Sequence, residues 1–277
     1  HMIMRLEREQ SVKEYLDIMD HRKTEQLIDT LDKVEQNRKE CYIREFSIEH
    51  FHDSKVFETL IPKICKIFRE ENEELTGFEN EEILAEYQIY KTPGYVYMKG
   101  NVQIYSAGKQ AADISAFPEG IAVAVGSEED VPDICPDQTI DKVFTIENLT
   151  SFYRFKQEHS LVIYLGGYHN RSRRNLLMQI YQKLPDAQYY HFGDLDAGGF
   201  YILEHLKRKT GIPFQMFQMD IETLKKYEGY AKPLTENDKK RLMQLEKMEL
   251  PDKERKLITY MLQKGIKLEQ ECISESQ

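Results

Sequence analysis

Acidic side chains follow two predicted strands in the second half of the chain, at the point where each strand ends. Glu147 directly follows an apolar stretch that begins at Val143, and Asp194 and Asp196 follow a second stretch that ends at Phe192. In an open parallel sheet, the active crevice lies outside the carboxyl ends of the strands. We therefore expect these three acids to converge on one crevice.

The two aspartates form the only Asp-x-Asp pair in the sequence. If the backbone is extended here, its two-residue period aims Asp194 and Asp196 the same way, and Leu195 between them points into the fold. One alternative stays open, because an acid after a strand often serves only to cap the next helix. The pair together with Glu147, in one alternating run of strands and helices, is more specific for a functional site than either feature alone.

Three carboxylates in one crevice repel one another unless a cation lies between them. Oxygen ligands of this kind favour Mg²⁺ or Mn²⁺ over Zn²⁺, and no nearby cysteine or pair of histidines offers a softer site. A divalent cation bound by Glu147, Asp194 and Asp196 can activate water and neutralise a phosphoryl oxygen. The pattern therefore predicts phosphoryl transfer, with Gly198 and Gly199 bringing backbone amides of the next helix close to a phosphate.

Positive charge that could contact DNA is concentrated in a few places. The net charge of −10 argues against a protein that binds nucleic acid over its whole surface. The clearest basic cluster is Arg171, Arg173 and Arg174. These arginines open a predicted helix, where the helix dipole disfavours cations, so DNA binding and a solvated helix end stay equally open.

Two histidines, His169 and His191, fall near the same predicted sheet edge. Either could act as a general base or a phosphate contact. A lone histidine is more often a hydrogen-bonded structural residue, and that is our interpretation of both. The four cysteines lie far apart and form no Cys-x-x-Cys pair, so they predict neither a zinc ribbon nor a disulfide framework.

The elements that would position the acids alternate regularly from residue 141 onward. Predicted strands and helices cover, in order, residues 143–146, 149–157, 161–165, 172–184, 188–192, 198–209 and 214–218. Strands and helices that alternate with short connections are typical of a doubly wound parallel sheet. Apolar residues at helical spacing continue toward the C-terminus. We therefore expect an α/β domain over residues 141–277 with a helical extension at its end.

Residues 1–140 show a different pattern and are expected to form a separate, smaller α+β region. Apolar residues recur at helical spacing over 12–34 and 57–68, and two strand patterns flank a hairpin signal at Lys99-Gly100-Asn101. Helices followed by a hairpin resemble a winged helix, although many small α+β domains give the same pattern. Pro132 and Pro136 indicate a linker before the α/β domain.

Length and composition set the broad class. A chain of 277 residues is longer than one compact core usually spans, which predicts two domains. No apolar run approaches the roughly 20 residues of a membrane helix. The first residues also lack the apolar stretch of a secretory signal. We therefore expect a cytoplasmic protein without a membrane segment.

The acidic pattern resembles a Toprim domain, the fold shared by topoisomerases, primases and several nucleases. More narrowly, residues 143–220 resemble the C-terminal domain of the JetD family of Wadjet plasmid-defence systems. The segments that carry the resemblance are Phe144-Thr145-Ile146-Glu147-Asn148, Leu165-Gly166-Gly167, His191-Phe192-Gly193-Asp194-Leu195-Asp196-Ala197-Gly198-Gly199, Met219-Asp220 and Leu268-Glu269-Gln270-Glu271.

The resemblance implies a Toprim-like fold and a metal-dependent DNA endonuclease. By its motifs, Glu147, Asp194 and Asp196 would be the metal ligands. Glu269 and Glu271 could approach the site, but a solvated helix end is our interpretation from sequence. The family also implies plasmid DNA as the substrate, a homodimer, and a condensin-like SMC complex as the partner that recruits the nuclease. The N-terminal region is short for this family.

Two other functions stay open. The acids of a Toprim domain also assist a tyrosine nucleophile in topoisomerase-like strand transfer, but no motif singles out one of the 17 tyrosines. The second alternative is a non-catalytic subunit that binds DNA or a partner. The presence of all three acids argues against that alternative.

Overall fold

A computed structural model of the chain describes residues 19–72, 78–91, 94–106, 108–125, 132–166 and 171–273, together with residues 5, 7–9, 12, 15 and 75. Backbone contacts divide the chain into two compact units, His1–Gly94 and Tyr95–Gln277. Within the described residues, no helix combines the length and the apolar character needed to cross a membrane.

The first unit is mainly helical. Its elements are α1 (His21–Gln36), β1 (Cys41–Tyr42), α2 (Ile43–Phe51), α3 (Val56–Glu71), α4 (Asn80–Glu86) and β2 (Ile89–Tyr90). The two short strands pair in parallel. Helix α3 buries Phe57 and Phe68, as its helical spacing predicts, and the Phe57 ring centroid lies 4.5 Å from that of Phe46. Of the helix predicted over 12–34, the part from His21 onward is α1, and residues 13, 14 and 16–18 lie outside the described residues.

The second unit contains the predicted alternation of strands and helices. Its strands are β3 (Gly94–Lys99), β4 (Val102–Ser106), β5 (Lys109–Asp113), β6 (Ile121–Val125), β7 (Asp133–Pro136), β8 (Lys142–Ile146), β9 (Ser160–Tyr164), β10 (Gln188–Phe192), β11 (Gln215–Met216), β12 (Lys232–Pro233) and β13 (Ile266–Lys267). Its helices are α5 (Leu149–Arg154), α6 (Arg171–Lys183), α7 (Ala197–Thr210), α8 (Ile221–Lys226), α9 (Glu236–Leu245) and α10 (Asp252–Lys264). Most predicted bounds agree to within about two residues, but α5 and β11 are shorter than predicted.

The central sheet has six strands in the order β11-β10-β8-β9-β3-β6. Strands β11, β10, β8 and β9 run parallel, whereas β3 pairs antiparallel with β9. The predicted α/β architecture is confirmed, although the sheet is mixed rather than wholly parallel. The chain passes from β8 to β9 on one side and then returns to β10 on the other side. The carboxyl ends of β8 and β10 therefore border the crevice at which this topology places ligands.

Both faces of the sheet are covered, because its strands alternate apolar side chains between them. On one face, Val143 and Tyr189 share a core with residues of α6 and of the small antiparallel sheet β5-β4-β7. On the other face, Phe144 and Phe192 share a core with residues of α5, α9 and α10. Each buried side chain of this size contributes roughly 1.5–3 kcal/mol to folding. The strand ends are thus held on both sides.

The two strands predicted as a hairpin belong to different sheets. Strand β3 lies beside β9 in the central sheet, whereas β4 pairs with β5 and β7. Gly100, between β3 and β4, has a φ of +137°, and a Cβ there would lie 2.5 Å from the carbonyl oxygen of Ser160. The turn therefore packs against the start of β9, which takes β3 as its neighbour. The predicted hairpin is wrong, whereas the winged-helix interpretation of the N-terminal region stays a prediction.

The structure also divides the chain at a different place from the boundary predicted near residue 140. Val96 and Ile134 are buried in the same core as Val143. Pro136, which indicated a linker in the sequence, lies in β7 opposite Val102. Residues 95–140 consequently belong to the unit that contains the central sheet.

Candidate active site

Strands β8 and β10 end side by side. The two strands stay in register up to the pair Ile146 and Phe192, and the N–H of Glu147 then donates to the carbonyl oxygen of Phe192 at 3.0 Å. Glu147 and Gly193 consequently leave the sheet as neighbours. The backbone position of Glu147 is therefore set by the sheet register and not by a loop.

Gly193 makes room for the Glu147 carboxylate. A Cβ at Gly193 would lie 2.5 Å from Glu147 Oε2 and 2.9 Å from His191 Nε2. The next residue, Asp194, directs its backbone N–H toward Glu147 Oε2 at 3.4 Å. The structure therefore brings Glu147 against the backbone of the Asp194 segment, as the prediction of a shared crevice requires. A side chain at position 193 would displace the Glu147 carboxylate.

Leu195 fixes the direction of the two aspartates. It is fully buried, and it forms a two-bond antiparallel bridge with Leu268, with N···O distances of 2.9 and 3.1 Å. Asp194 and Asp196 on either side are partly exposed. The predicted inward direction of Leu195 is confirmed.

Asp196 also caps a helix. Its Oδ1 accepts a hydrogen bond from the N–H of Gly199 at 2.9 Å, and Asp196 is the N-cap residue of α7. The helix-cap alternative left open by the sequence therefore holds for this acid. A capping interaction does not preclude a ligand role, because Oδ2 remains a second acceptor on the same carboxylate.

Like charges surround Asp194. Its pKa is raised to about 6, first by burial and then by the charges of Asp196, Glu271 and Glu269, while a hydrogen bond from the Gln270 N–H acts in the opposite direction. Glu269 also forms an ion pair with Lys232 at 2.5 Å. Ionised Asp194 is thus disfavoured in the metal-free protein, and a cation would relieve this repulsion.

The donor set suits a hard divalent cation, because Glu147, Asp194 and Asp196 offer carboxylate oxygens alone. In the arrangement of side chains seen here, no three His, Cys, Asp or Glu residues of the described chain lie close enough to hold a metal ion. A shared cation would thus require the carboxylates to turn toward one another. The metal-ligand assignment and the choice of Mg²⁺ or Mn²⁺ stay predictions.

Gly198 and Gly199, predicted to approach a phosphate, lie in the first turn of α7. A Cβ at Gly199 would lie 2.2 Å from the carbonyl oxygen of Asp194, so this glycine lets the helix pack against the Asp194 backbone. The Gly199 N–H is occupied by Asp196. Close packing therefore explains the need for Gly199, and the phosphate contact stays a prediction.

The three predicted DNA-binding arginines differ in their surroundings. Arg171 begins α6, but its side chain lies outside the described part of the structure. Arg173 donates from Nη1 to the carbonyl oxygen of Leu165, at the end of β9. Arg174 is only 8% exposed. Arg173 thus bonds to the backbone directly after β9. DNA binding by the cluster stays a prediction.

His191 is fully buried, and its Nδ1 lies 3.0 Å from the hydroxyl of Thr145, which itself donates to the carbonyl oxygen of Tyr190. Burial, followed by the charge of Lys207, lowers the pKa of His191 to about 3. The interpretation of His191 as a hydrogen-bonded residue of the interior is confirmed. His169 lies outside the described residues.

A family model described as Wadjet protein JetD, C-terminal, matches residues 129–277, which is more than half of the chain. The chain belongs to this family. The Wadjet protein JetD of Bacillus cereus (strain Q1) is 29% identical to it over 254 residues, which make up 90% of this chain and 61% of that protein. The chain thus spans about three fifths of the length of this relative.

The part that matches the JetD family includes a C-terminal segment that completes the site. Gln270 is fully buried, and its backbone N–H donates to Asp194 Oδ1 at 2.6 Å. Glu271 is exposed, and its Oε1 accepts from Asn148 Nδ2 at 2.6 Å. From sequence, this segment carries the family resemblance, and Glu269 and Glu271 are interpreted as a solvated helix end. In the structure, Glu269 forms an ion pair with Lys232, and Glu271 accepts a hydrogen bond from Asn148. No local pattern could have assigned Gln270, because its partners lie far away in the chain.

Proposed function

We propose that this member of the JetD family is a divalent-metal-dependent DNA endonuclease of a Wadjet defence system. The observation that carries the proposal is the meeting of Glu147 with the Asp194 segment at the carboxyl edge of the sheet, where the charges of Asp196, Glu269 and Glu271 act on Asp194. Family membership supports the proposal, because the relative from Bacillus cereus is named a Wadjet protein.

In this proposal, Glu147, Asp194 and Asp196 hold Mg²⁺ or Mn²⁺. A cation there would supply a Lewis acid that activates water and offsets charge on a phosphate ester. The chain contributes orientation. The Gln270 N–H holds one oxygen of Asp194, and the sheet register places Glu147 beside Gly193. These contacts hold the backbone beside both acids before substrate arrives, so the carboxylates alone would turn toward a cation.

The predicted DNA contacts belong to the same proposal. Arg171, Arg173 and Arg174 lie at the start of α6, which follows β9 in the sheet next to β8. Cations near the strand ends would bring the phosphate backbone toward the acids. The first turn of α7, with Gly198 and Gly199, would take a phosphate. Plasmid DNA, a homodimer and a condensin-like SMC partner are the remaining parts of the proposal, and the family resemblance supports them.

The rival mechanism needs a tyrosine nucleophile, and Tyr164 is a candidate near the site among the residues that the structure describes. Tyr164 is the last residue of β9. It pairs in register with Ile146, which is the residue before Glu147. Its pKa is raised, first by burial, and the negative charge of Glu147 contributes in the same direction. A nucleophilic phenol needs the opposite shift, so water is the better nucleophile for this site.

The test is cleavage of circular and linear DNA by the purified protein with Mg²⁺, with Mn²⁺ and with EDTA. We expect nicking or linearisation with either cation, none with EDTA, and no protein bound covalently to DNA after denaturation. A covalent adduct that disappears in Tyr164→Phe would favour strand transfer. DNA binding without cleavage under every cation would favour a non-catalytic subunit.

A further inference from the structure

The segment that follows α10 returns to the site and ends in a buried glutamine. After the bridge between Leu268 and Leu195, the chain makes a 3₁₀ turn, Gln270–Cys272. Gln270 is 0% exposed, although glutamine is a residue that ordinarily stays in water. A buried amide of this kind needs partners for both its oxygen and its nitrogen.

The partners of Gln270 all lie on the two segments that carry the acids. Its Oε1 accepts from the backbone N–H of Asn148 at 2.9 Å, directly after Glu147. Its Nε2 donates to the carbonyl oxygen of Phe192 at 3.1 Å, two residues before Asp194. Its own backbone N–H donates to the Asp194 carboxylate at 2.6 Å. Gln270 therefore bonds to the backbone next to Glu147 and near Asp194, and it also bonds to the Asp194 carboxylate itself.

We propose that Gln270 is a positioning residue that fixes the spacing of the two strand ends that carry Glu147 and Asp194 and the orientation of the Asp194 carboxylate. This inference rests on the proposed function of the site. The amide joins the end of β8 to the end of β10 beyond the last strand pair, where the sheet hydrogen bonds stop. The backbone bond to Asp194 holds Oδ1, so the free oxygen of that carboxylate takes a defined direction.

The geometry separates this role from ordinary stabilisation. Gln179, in α6, also accepts a backbone hydrogen bond, from the Ile134 N–H at 3.1 Å, but its partner lies in β7 and not at a strand end that carries an acid. Gln179→Met is therefore a matched control for Gln270→Met. Both changes remove a glutamine amide that bonds to the backbone and keep a side chain of similar length.

We expect Gln270→Met to weaken Mn²⁺ binding by roughly 10- to 100-fold, the usual effect of losing a contact that orients a metal ligand. Titration calorimetry with Mn²⁺ alone measures this affinity. Cleavage is expected to recover in part at saturating Mn²⁺, because the ligands themselves are intact. Hydrogen exchange of the Asn148 amide is expected to accelerate. Gln179→Met is expected to match the wild type in Mn²⁺ affinity and in Asn148 exchange.

The outcomes separate the two proposals. If the wild type binds Mn²⁺ and cuts DNA, and Gln270→Met does both equally well, the positioning role alone is overturned. A wild type that neither binds Mn²⁺ nor cuts DNA would overturn the proposed function and the role of Gln270 together. If Gln270→Met fails to fold, Gln270→Asn, which keeps a buried amide one methylene shorter, is expected to show the same loss of affinity. Unfolding of both would assign Gln270 to folding and overturn the proposal.

Discussion

Two groups of acids in Tyr95–Gln277 differ in what balances their charge. In the first, which we call the helix cluster, Lys207 Nζ lies 2.8 Å from Glu204 Oε1 and 2.7 Å from Glu254 Oε1. In the second, the strand-end acids Glu147, Asp194 and Asp196, the charges that act most strongly on Asp194 are those of other acids. The helix cluster contains a cation of the chain in contact with both of its acids, whereas the charges that act on Asp194 are those of other acids.

This difference indicates which acids serve the fold and which serve chemistry. Glu254 is only 5% exposed, and the Lys207 ammonium opposes part of the desolvation of its carboxylate, whose pKa nevertheless stays raised. Burial of an acid among other acids lowers stability unless a cation from outside the chain binds there. Such an arrangement is expected where a cation from outside the chain binds, as we propose for these acids. The comparison therefore favours the strand ends over the helix cluster as the place of reaction.

The largest expected effect is loss of cleavage when the strand-end aspartates lose their charge but keep their hydrogen bonds. Asp194→Asn keeps an oxygen for the Gln270 N–H, and Asp196→Asn keeps an acceptor for the Gly199 N–H. We expect each change to lower cleavage on the order of 100- to 1,000-fold, and Mn²⁺ affinity with it. Plasmid cleavage assays and Mn²⁺ titrations measure both.

Folding is expected to survive these changes. Because the pKa of Asp194 is raised to about 6 from an ordinary 3.8, its ionisation destabilises the metal-free protein above about pH 6, and this contribution vanishes below about pH 4. Asp194→Asn should therefore melt no lower than the wild type at neutral pH without metal. The control is Asp137→Asn, which makes the same change to an acid in the turn before β8 and not at the strand ends. Full cleavage by the Asp194→Asn/Asp196→Asn double variant would show that these acids are structural.

The second effect concerns the helix cluster, where stability rather than activity should respond. Lys207→Met leaves the buried Glu254 without its cation, so we expect a loss of about 3–5 kcal/mol in the free energy of unfolding. Denaturant titration measures this loss. Lys239→Met breaks the exposed ion pair with Glu236 and is the control, with little change expected. A Lys207→Met protein as stable as the wild type would remove the contrast between the two groups.

The third effect is a pH dependence of stability that arises from His191. This side chain lies next to Gly193 at the site, and the charge of Lys207 contributes to lowering its pKa. Its pKa falls to about 3 from an ordinary 6.5, so the folded state holds it neutral. Stability from this group is complete above about pH 6.5 and is lost as the pH falls below that value, by about 1.4 kcal/mol per pH unit. Denaturant titrations between pH 4 and 8 measure the slope.

His191→Asn retains a donor for Thr145 and removes the titrating ring. The stability difference between wild type and His191→Asn should be constant above about pH 7 and should decrease toward pH 4. His205→Asn should behave in the same way, because burial and the charge of Arg174 lower the pKa of His205 to about 3. A difference that does not change with pH would mean that folding does not lower the pKa of His191.

The smallest expected effect concerns DNA binding near α6. Arg171→Ala and Arg173→Ala should each weaken DNA binding a few-fold and reduce the slope of log affinity against log salt by about 0.9. Arg174→Ala should lower the melting temperature more than it lowers affinity, because this side chain is buried. Binding titrations at several salt concentrations separate these outcomes. An unchanged slope in both Arg171→Ala and Arg173→Ala would place the DNA elsewhere. The control is Lys253→Ala, which removes an exposed cation of α10.

Local patterns along the chain were enough to predict the α/β order of the second unit and the position of its acids. Apolar runs and helical spacing are local signals, and a residue that follows a strand lies at its carboxyl end in any packing. Glu147 and Asp194 could therefore be placed at one sheet edge before any contact was known. The inward direction of Leu195 followed from the two-residue period of an extended chain.

The distant segments that complete the site, in contrast, were visible in the folded chain alone. Gln270 is 76 residues from Asp194 and 122 from Asn148, and Lys207 is 47 residues from Glu254. Strand β3 likewise pairs with β9 and not, as the predicted hairpin required, with β4. Pairings of this kind depend on which surfaces meet when the core closes, and a pattern read over a few neighbouring residues contains no information about that meeting.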